Sequence, residues 1–535
     1  MPGFRRVDLS LAMVLLGAAA LRLWGVDYGL PHTLARPDED AVFAIAQRVY
    51  TGHLNPEFFD WPSLFMYVVA ACSLLYFTVG RLAGWFGRMA SFVAATTAHP
   101  GPLYLIARSI SVAAGTATVA TVYRIGLLLF DRTTALVAAM YLAIAALHVR
   151  ESHFGLTDVP ATCLLMLAFL FTVRYARGGV RRDALLAAVM AGLAASTKYN
   201  AGIVVLPLVW AIATNAGGGS VVNRVGLVLV CALLSVAAFA AGTPYAFLDP
   251  HRFVSSLVAI SEHLRRGHIA AQGYSWRIHM TSSLRYGIGT PMLVSGIAGG
   301  VLYVYRDLRA GVLFVSCPVV YFAVIGAGQT TFARYILPVV PFLCIASAYV
   351  TVETARAIAA WSGRPAPAPV IAWMLAALIA MPALLSSIQT DRLLARTDNR
   401  VIAAEWIRAH FPDGARIFHT GRIYAHVQLQ SGFVPDPHYP SVDYDATPPA
   451  DLVVVAHCPL AYCDGPPDAL YGRLTDYELL EMFTALDEDN LRLVYDKDDA
   501  FFVPLAGFEA VTRPGPTLLV YGRSPTAADP PVSRR

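Results

Sequence analysis

"DVPATCLLMLAFLFTVRYARGGVRRDALLAAVMAGLAASTKYN", residues 158–200, sets an apolar run against a basic loop and then a second apolar run. The runs, about 158–177 and 183–197, are close to the roughly 20 residues a helix needs to cross a bilayer. The loop between them gathers Arg174, Arg177, Arg181 and Arg182. Short loops rich in Lys and Arg stay on the cytoplasmic side. The loop is therefore expected inside, with Asp158 and Lys198 outside.

The rest of the chain fits this reading. Of its 535 residues, 56% are hydrophobic and 14% charged, against about 25% charged in a soluble domain. A net charge of +4 gives no reason to expect a nucleic-acid partner. The expected class is a polytopic α-helical membrane protein. Eleven crossings are read at about 7–26, 103–127, 133–149, 158–177, 183–197, 200–216, 224–242, 288–305, 311–327, 335–354 and 369–388. The basic start with Arg5 and Arg6 resembles a signal peptide, but its apolar run continues through Leu21, Leu23 and Trp24 without a small-residue cleavage site. An uncleaved first helix with the N-terminus inside is the expectation.

That start places Asp38 and Glu39 outside. The span beginning at about 103 must also start outside, because Arg124 and Arg132 mark its far end as inside. The apolar stretch at about 62–84 then begins and ends on one side. It is read as a juxtamembrane or re-entrant helix, although Arg81 and Arg88 sit outside against the rule. Residues 1–388 form the expected membrane domain. Residues 389–535 form a soluble α/β domain on the extracytoplasmic side. In that tail "TDNRVIAAEWIRAHF" reads as a helix, and "ADLVVVAH", "LRLVYD" and "TLLVYGRS" as strands. "DYELLEMFTALDED" has a helical pattern. Five cysteines lie in apolar runs; Cys458 and Cys463 fit a disulfide or two free thiols.

Charges near oil are expensive and usually functional. Five groups fall on the outer face: Asp38-Glu39 after Pro37; Glu151, His153 and Asp158; Lys198-Tyr199; a basic loop with Arg265 and Arg266; and Arg334-Tyr335 at the mouth of a span. Each has an ordinary explanation. Acids at a helix start complement its dipole, Lys198 could snorkel, and a long loop escapes the positive-inside rule. Carboxylates on one side and cations on another suit group transfer from a phosphate. One carboxylate deprotonates the acceptor, and Arg and Lys stabilise the charge growing on the leaving group. A divalent cation at Asp38 and Asp158 stays open, since arginine and lysine alone can hold a phosphate.

The chain resembles the membrane-embedded GT-C glycosyltransferases, and within them the protein O-mannosyltransferase and aminoarabinose transferase branch (glycosyltransferase family 39 and its relatives). "RPDEDAVFAIAQRVY", "WPSLFMYVVA", "SHFGLTDVPATCLLMLAFLF", "GLAASTKYNAGIVVLPLVW", "RYILPVVPFL" and "TDNRVIAAEWIRAHFPDGARI" carry the resemblance over roughly residues 1–420. It implies an inverting transferase that moves a hexosyl or pentosyl group from a polyprenyl-phosphate-linked donor to a protein, lipid or glycan. Asp38 is then the base, with Glu39 and Asp158 beside it in the catalytic set. Glu151 and His153 are expected, from their place among the outer charges rather than from the resemblance, to orient acceptor and sugar. Lys198, Arg334 and Tyr335 match positions expected near the donor phosphate; the basic loop with Arg265 and Arg266 is read from its charge alone as a further contact for it. The WWDYG-type signature of oligosaccharyltransferases is missing. A transporter or flippase for an anionic lipid is the alternative from another class, and it predicts internal repeats with matched broken spans.

Overall fold

The computed structural model describes residues 8–215, 219–269, 273–362, 368–429, 439–443, 445–447, 449–463, 472, 474–487 and 492–523. Arg5 and Arg6, on which the expected orientation of the N-terminus rests, lie outside these residues.

The chain opens with helix α1 (Leu9–Leu23), a polar loop, and α2 (Glu39–Tyr50). Next come α3 (Leu64–Leu82), α4 (Met89–Ala98) and the long α5 (Gly101–Leu129). Asp8 at the start of α1 receives the Tyr123 hydroxyl at 2.6 Å, near the end of α5. The far end of α1 brings Arg22 against Gly115. The two helices are therefore antiparallel neighbours. That bears on α3, which is 19 residues long and apolar enough to cross a bilayer. Its return helix α4 has 10 residues, a rise of about 15 Å against a hydrocarbon core of about 30 Å. A pair of crossings does not fit, and a hairpin lying beside the bundle does. Phe77, Phe86 and Phe92 hold that hairpin together.

The bundle continues with α6 (Arg132–Ala143), α7 (Ala146–Glu151), α8 (Asp158–Gly178), α9 (Arg181–Ala195), α10 (Val205–Thr214) and α11 (Val221–Gly242). After the short α12 (Tyr245–Leu248), α13 (Pro250–Arg266) has no buried residue and lies on the surface. The segments α14 (Ser275–Ile278), α15 (Leu284–Ile288) and α16 (Thr290–Arg306) form one chain of helix bent by 111° at Gly289. The last long helices are α17 (Leu308–Gly326), α18 (Val340–Trp361) and α19 (Ala368–Leu394). Among the described residues seven helices are long and apolar enough to span a membrane, or eight with the bent pair. The other expected crossings fall on shorter helices, α1, α6, α9 and the stretch Tyr199–Thr214. Length and composition therefore support a multi-pass membrane protein without reaching eleven. Small residues let the helices close up: a Cβ on Gly299 would lie 2.0 Å from the Ala346 carbonyl oxygen of α18.

Beyond α19, α20 (Asn399–His410) is capped by Asp398, whose side chain accepts the Arg400 N–H. A four-stranded sheet follows: β1 (Ile417–His419), β2 (Leu452–His457), β3 (Tyr477–Phe483) and β4 (Thr517–Arg523), in the order β1-β2-β4-β3. The pair β1–β2 is parallel and the other two are antiparallel. Two expectations are corrected here. The helix expected over "DYELLEMF" is strand β3, paired along the edge of β4 with a register shift at Leu479/Glu481. Cross-strand pairing overrides a local helical pattern. The strand expected over "LRLVYD" is, in its described part, a single bridge from Val494 to Ala506. The tail does not stand apart from the bundle. Phe501 packs edge-on against Tyr28 at 5.5 Å and Phe154 at 5.0 Å, in one core with Phe43 and Tyr104.

Candidate active site

Five segments meet at one place: the stretch before α2, the α7–α8 turn with the start of α8, the connection after α9 that carries Lys198, the turn of 3-10 helix at Ala333–Val339, and the tail segment 496–503. Each brings charge. Asp38 immediately precedes α2 with φ 74°, the left-handed region, and offers α2 no side-chain cap. A non-glycine residue held there stores strain of the kind that gathers at functional sites. The capped-helix explanation of Asp38 therefore fails. Its Oδ2 instead accepts from Arg334 Nη2 at 2.6 Å, and its side chain keeps 30% exposure.

Arg334 is the hub. Its Nη1 donates to Asp499 Oδ2 at 2.8 Å, and its Nε lies 4.0 Å from Asp158 Oδ2. Asp158, in the first turn of α8, forms an ion pair with Lys198. The Lys198 ammonium sits 4.7 Å from the centroid of the Tyr335 ring. Thus Asp38, Asp158, Lys198, Arg334 and Tyr335, far apart in sequence, come together as expected from the sequence.

Other expected residues take different places. Glu39 is buried and turned away, accepting from Arg108 Nε at 2.9 Å, Arg108 Nη2 at 2.6 Å and the Gly155 N–H at 2.7 Å. This carboxylate ties α2 to α5 and the α7–α8 turn, so the arrangement gives Glu39 a structural use beside the site. Glu151 pairs with Arg36 at 3.3 Å and Arg150 at 3.4 Å. His153 is buried, its ring nitrogens 2.9 Å from the Val149 carbonyl oxygen and 3.1 Å from that of Trp24. Arg265 and Arg266 end the surface helix α13, with Arg266 paired to Glu262 one turn back. The carbonyl of Leu264 accepts the Gln329 N–H at 2.8 Å, which keeps this helix end at the rim near the segment leading to Arg334. Among the described residues no three His, Cys, Asp or Glu side chains form a group that could hold a metal ion.

Sequence reasoning missed Arg36, Arg108 and the tail acids. Asp499 accepts from Arg36 Nη1 at 2.8 and 2.9 Å as well as from Arg334. Arg36 is fully buried, with its guanidinium beside the edge-on pair of Phe154 and Phe501, 5.0 and 4.9 Å from their ring centroids. Asp498 accepts the Thr331 N–H at 2.9 Å and Asp496 the Ala333 N–H at 2.6 Å. Burial pushes the Asp499 carboxyl up, but the charges of Arg36 and Arg334 outweigh it and hold the group below its ordinary range. Asp496 goes the other way, raised by burial and by the charge of Asp499. The signal was visible as "DKDDAFF", four charges followed by two aromatics. It lay in the part of the chain for which the resemblance offered no pattern.

A cluster with one partly open carboxylate beside a buried guanidinium and an Asp–Lys pair can take a proton and steady an anion. Residues 89–243 match the family model described as dolichyl-phosphate-mannose-protein mannosyltransferase. No curated protein matches the chain. Among solved structures, the apo oligosaccharyltransferase of Archaeoglobus fulgidus superposes with a TM-score of 0.53 at 12% identity, covering 84% of this chain and 69% of that one. The same enzyme with zinc and sulfate gives 0.49 at 12% identity, with 81% and 62% covered. The chain thus spans about two thirds of that protein's length. ArnT from Cupriavidus metallidurans bound to undecaprenyl phosphate gives 0.48 at 13% identity, with 98% and 99% covered. The resemblance to GT-C glycosyltransferases read from the residues holds, in a segment of sequence and in the fold.

Proposed function

We propose that this chain is an inverting glycosyltransferase that moves a hexosyl or pentosyl group from a polyprenyl-phosphate-linked donor to an acceptor at the extracytoplasmic face of the membrane. The observation that supports it best is the setting of Asp38. It has a strained backbone and a half-open side chain, with one oxygen on Arg334. Its other oxygen, Oδ1, has no hydrogen bond among the described residues. In this reading Oδ1 takes the proton from the acceptor hydroxyl or amine as that atom bonds to the anomeric carbon. The carbon–oxygen bond to the phosphate breaks, and its electron pair leaves with the polyprenyl phosphate. Arg334 and Lys198 meet the charge growing on that oxygen, with the phosphate competing with Asp158 for the lysine. Tyr335 flanks the lysine, and Arg265 and Arg266 guide the donor from the rim.

The same reading sets the cytoplasmic side at the Arg174–Asp183 loop and makes residues 389–535 an extracytoplasmic α/β unit whose segment 496–503 completes the site. A transporter reading calls for matched broken spans in two repeats. Among the described residues one bent pair occurs, at Gly289, and the charged cluster lies elsewhere. The test is transfer from a radiolabelled polyprenyl-phosphate sugar by purified full-length protein. Asp38→Asn should lower the rate by about 10²–10⁴-fold while the melting temperature stays near wild type. A fully active variant would end the assignment of Asp38 as base.

A further inference from the structure

A second polar cavity lies behind the segment that carries Arg334. It has a volume of about 350 Å³ and is lined by Arg277, Thr281, Ser282, Thr331, Asp496 and Lys497, among others. That volume is within the range of ligand pockets, about 300–1,000 Å³. Asp38, Asp158, Lys198, Arg334 and Asp499 do not line it, and it borders their cluster through Ala333 and Asp496.

Three features of this cavity point to an anion. Arg277 and Lys497 are exposed cations that both line it, and neither side chain has an ion pair or hydrogen bond among the described residues. Its one acid does not oppose them freely. Asp496 is buried, with Oδ2 on the Ala333 N–H at 2.6 Å and Oδ1 3.3 Å from the Asp498 N–H. The hydroxyls of Thr281 and Ser282 come from a turn of π-helix at His279–Ser283. Such bulges are rare and frequent at functional sites. Guanidinium, ammonium and hydroxyl groups around a polar hollow suit phosphate oxygens.

The surroundings indicate where the phosphate comes from. Arg277 sits at the start of the apolar bent pair. Next to it Tyr274 and Trp276 stack at 5.5 Å and are 60% and 41% exposed. Amphipathic aromatics mark the level of lipid headgroups, and basic pockets beside membrane helices hold anionic headgroups. We propose that this cavity is an anion site that takes a phosphate group, supplied by the headgroup of an anionic membrane lipid. This inference does not rest on the proposed transfer reaction.

Binding of short-chain phosphatidylglycerol, phosphatidylcholine and inorganic phosphate to the full-length protein in a neutral detergent tests it, read by native mass spectrometry. Wild type should bind phosphatidylglycerol at least tenfold more tightly than phosphatidylcholine. The Arg277→Ala/Lys497→Ala double variant should lose that preference, and Arg277→Lys/Lys497→Arg should keep most of it. Ser282→Phe, which fills the cavity without changing charge, should also weaken binding. Competition by inorganic phosphate supports the anion site. Phosphate binding as tight as the lipid's overturns the lipid as source. Equal binding of both lipids by wild type, or an unchanged preference in both the double alanine variant and Ser282→Phe, overturns the proposal.

Discussion

Asp499 is the residue on which two arginines depend, and replacing it by alanine has a cost that can be worked out. The carboxylate accepts at 2.8 and 2.9 Å from Arg36 and at 2.8 Å from Arg334. Without it, Arg334 keeps Asp38, but fully buried Arg36 keeps only Glu151 at 3.3 Å. Removing one partner of a buried ion pair costs about 3–5 kcal/mol, chiefly because the remaining charge stays buried and unpaired. At about 1.4 kcal/mol per decade this is roughly two to four orders of magnitude in the folding constant. The assay is denaturant unfolding of the full chain in detergent, followed by tryptophan fluorescence. Arg36→Met supplies the control. If the cost comes from a stranded guanidinium, the double variant should be more stable than the sum of the single losses allows, by about 0.5–3 kcal/mol. Additive losses, or a loss below about 1 kcal/mol for Asp499→Ala, would refute the shared anchor.

Two further predictions concern neighbouring groups. Glu39→Ala strands buried Arg108 and frees the Gly155 N–H, so it should cost about 3–5 kcal/mol of stability. A Glu39→Ala protein that melts like wild type but has lost transfer would return Glu39 to the catalytic set. The second concerns pH. An unfolded aspartate titrates near about 3.9, and folding raises Asp496 above that, first through burial and then through the charge of Asp499. The folded chain therefore holds a proton that the unfolded chain has released. The stability this provides is complete below the unfolded value and is lost as pH rises through the folded one. Asp499 is shifted downward, so its contribution is lost only on acidification. Wild type should lose stability relative to Asp496→Asn as pH rises from about 4 to 8; parallel stability curves would contradict this.

Much of the helical architecture was legible because oil and charge alternate at bilayer spacing. The runs at 158–177 and 183–197 fall on α8 and α9, and the run at 224–242 on α11. The charge pattern suggested that the stretch at 62–84 begins and ends on one side, but it gave no sign of α4 (Met89–Ala98) folding back beside α3. The convergence of Asp38, Asp158, Lys198 and Arg334 was legible for the same reason. Less local facts were hidden. Periodicity over "DYELLEMF" could not report that β4 has an open edge. Adjacency of Asp38 and Glu39 could not report that a left-handed turn sends one carboxylate to Arg334 and the other to Arg108. Arg36 looked like one more charge in a polar loop, because its partner lies in the tail.

That partnership has a consequence in time. Arg36 and Asp499 are 463 positions apart. At roughly 5–20 residues per second of synthesis, the arginine is made about 20–90 s before the carboxylate that neutralises it. Arg334 in turn is made 165 positions before Asp499, and over that stretch of synthesis it lacks one of its anchors. The charged corner is closed only after every long apolar helix has been made, so a ribosome product cut short before residue 496 has those helices but neither arginine's contact with Asp499.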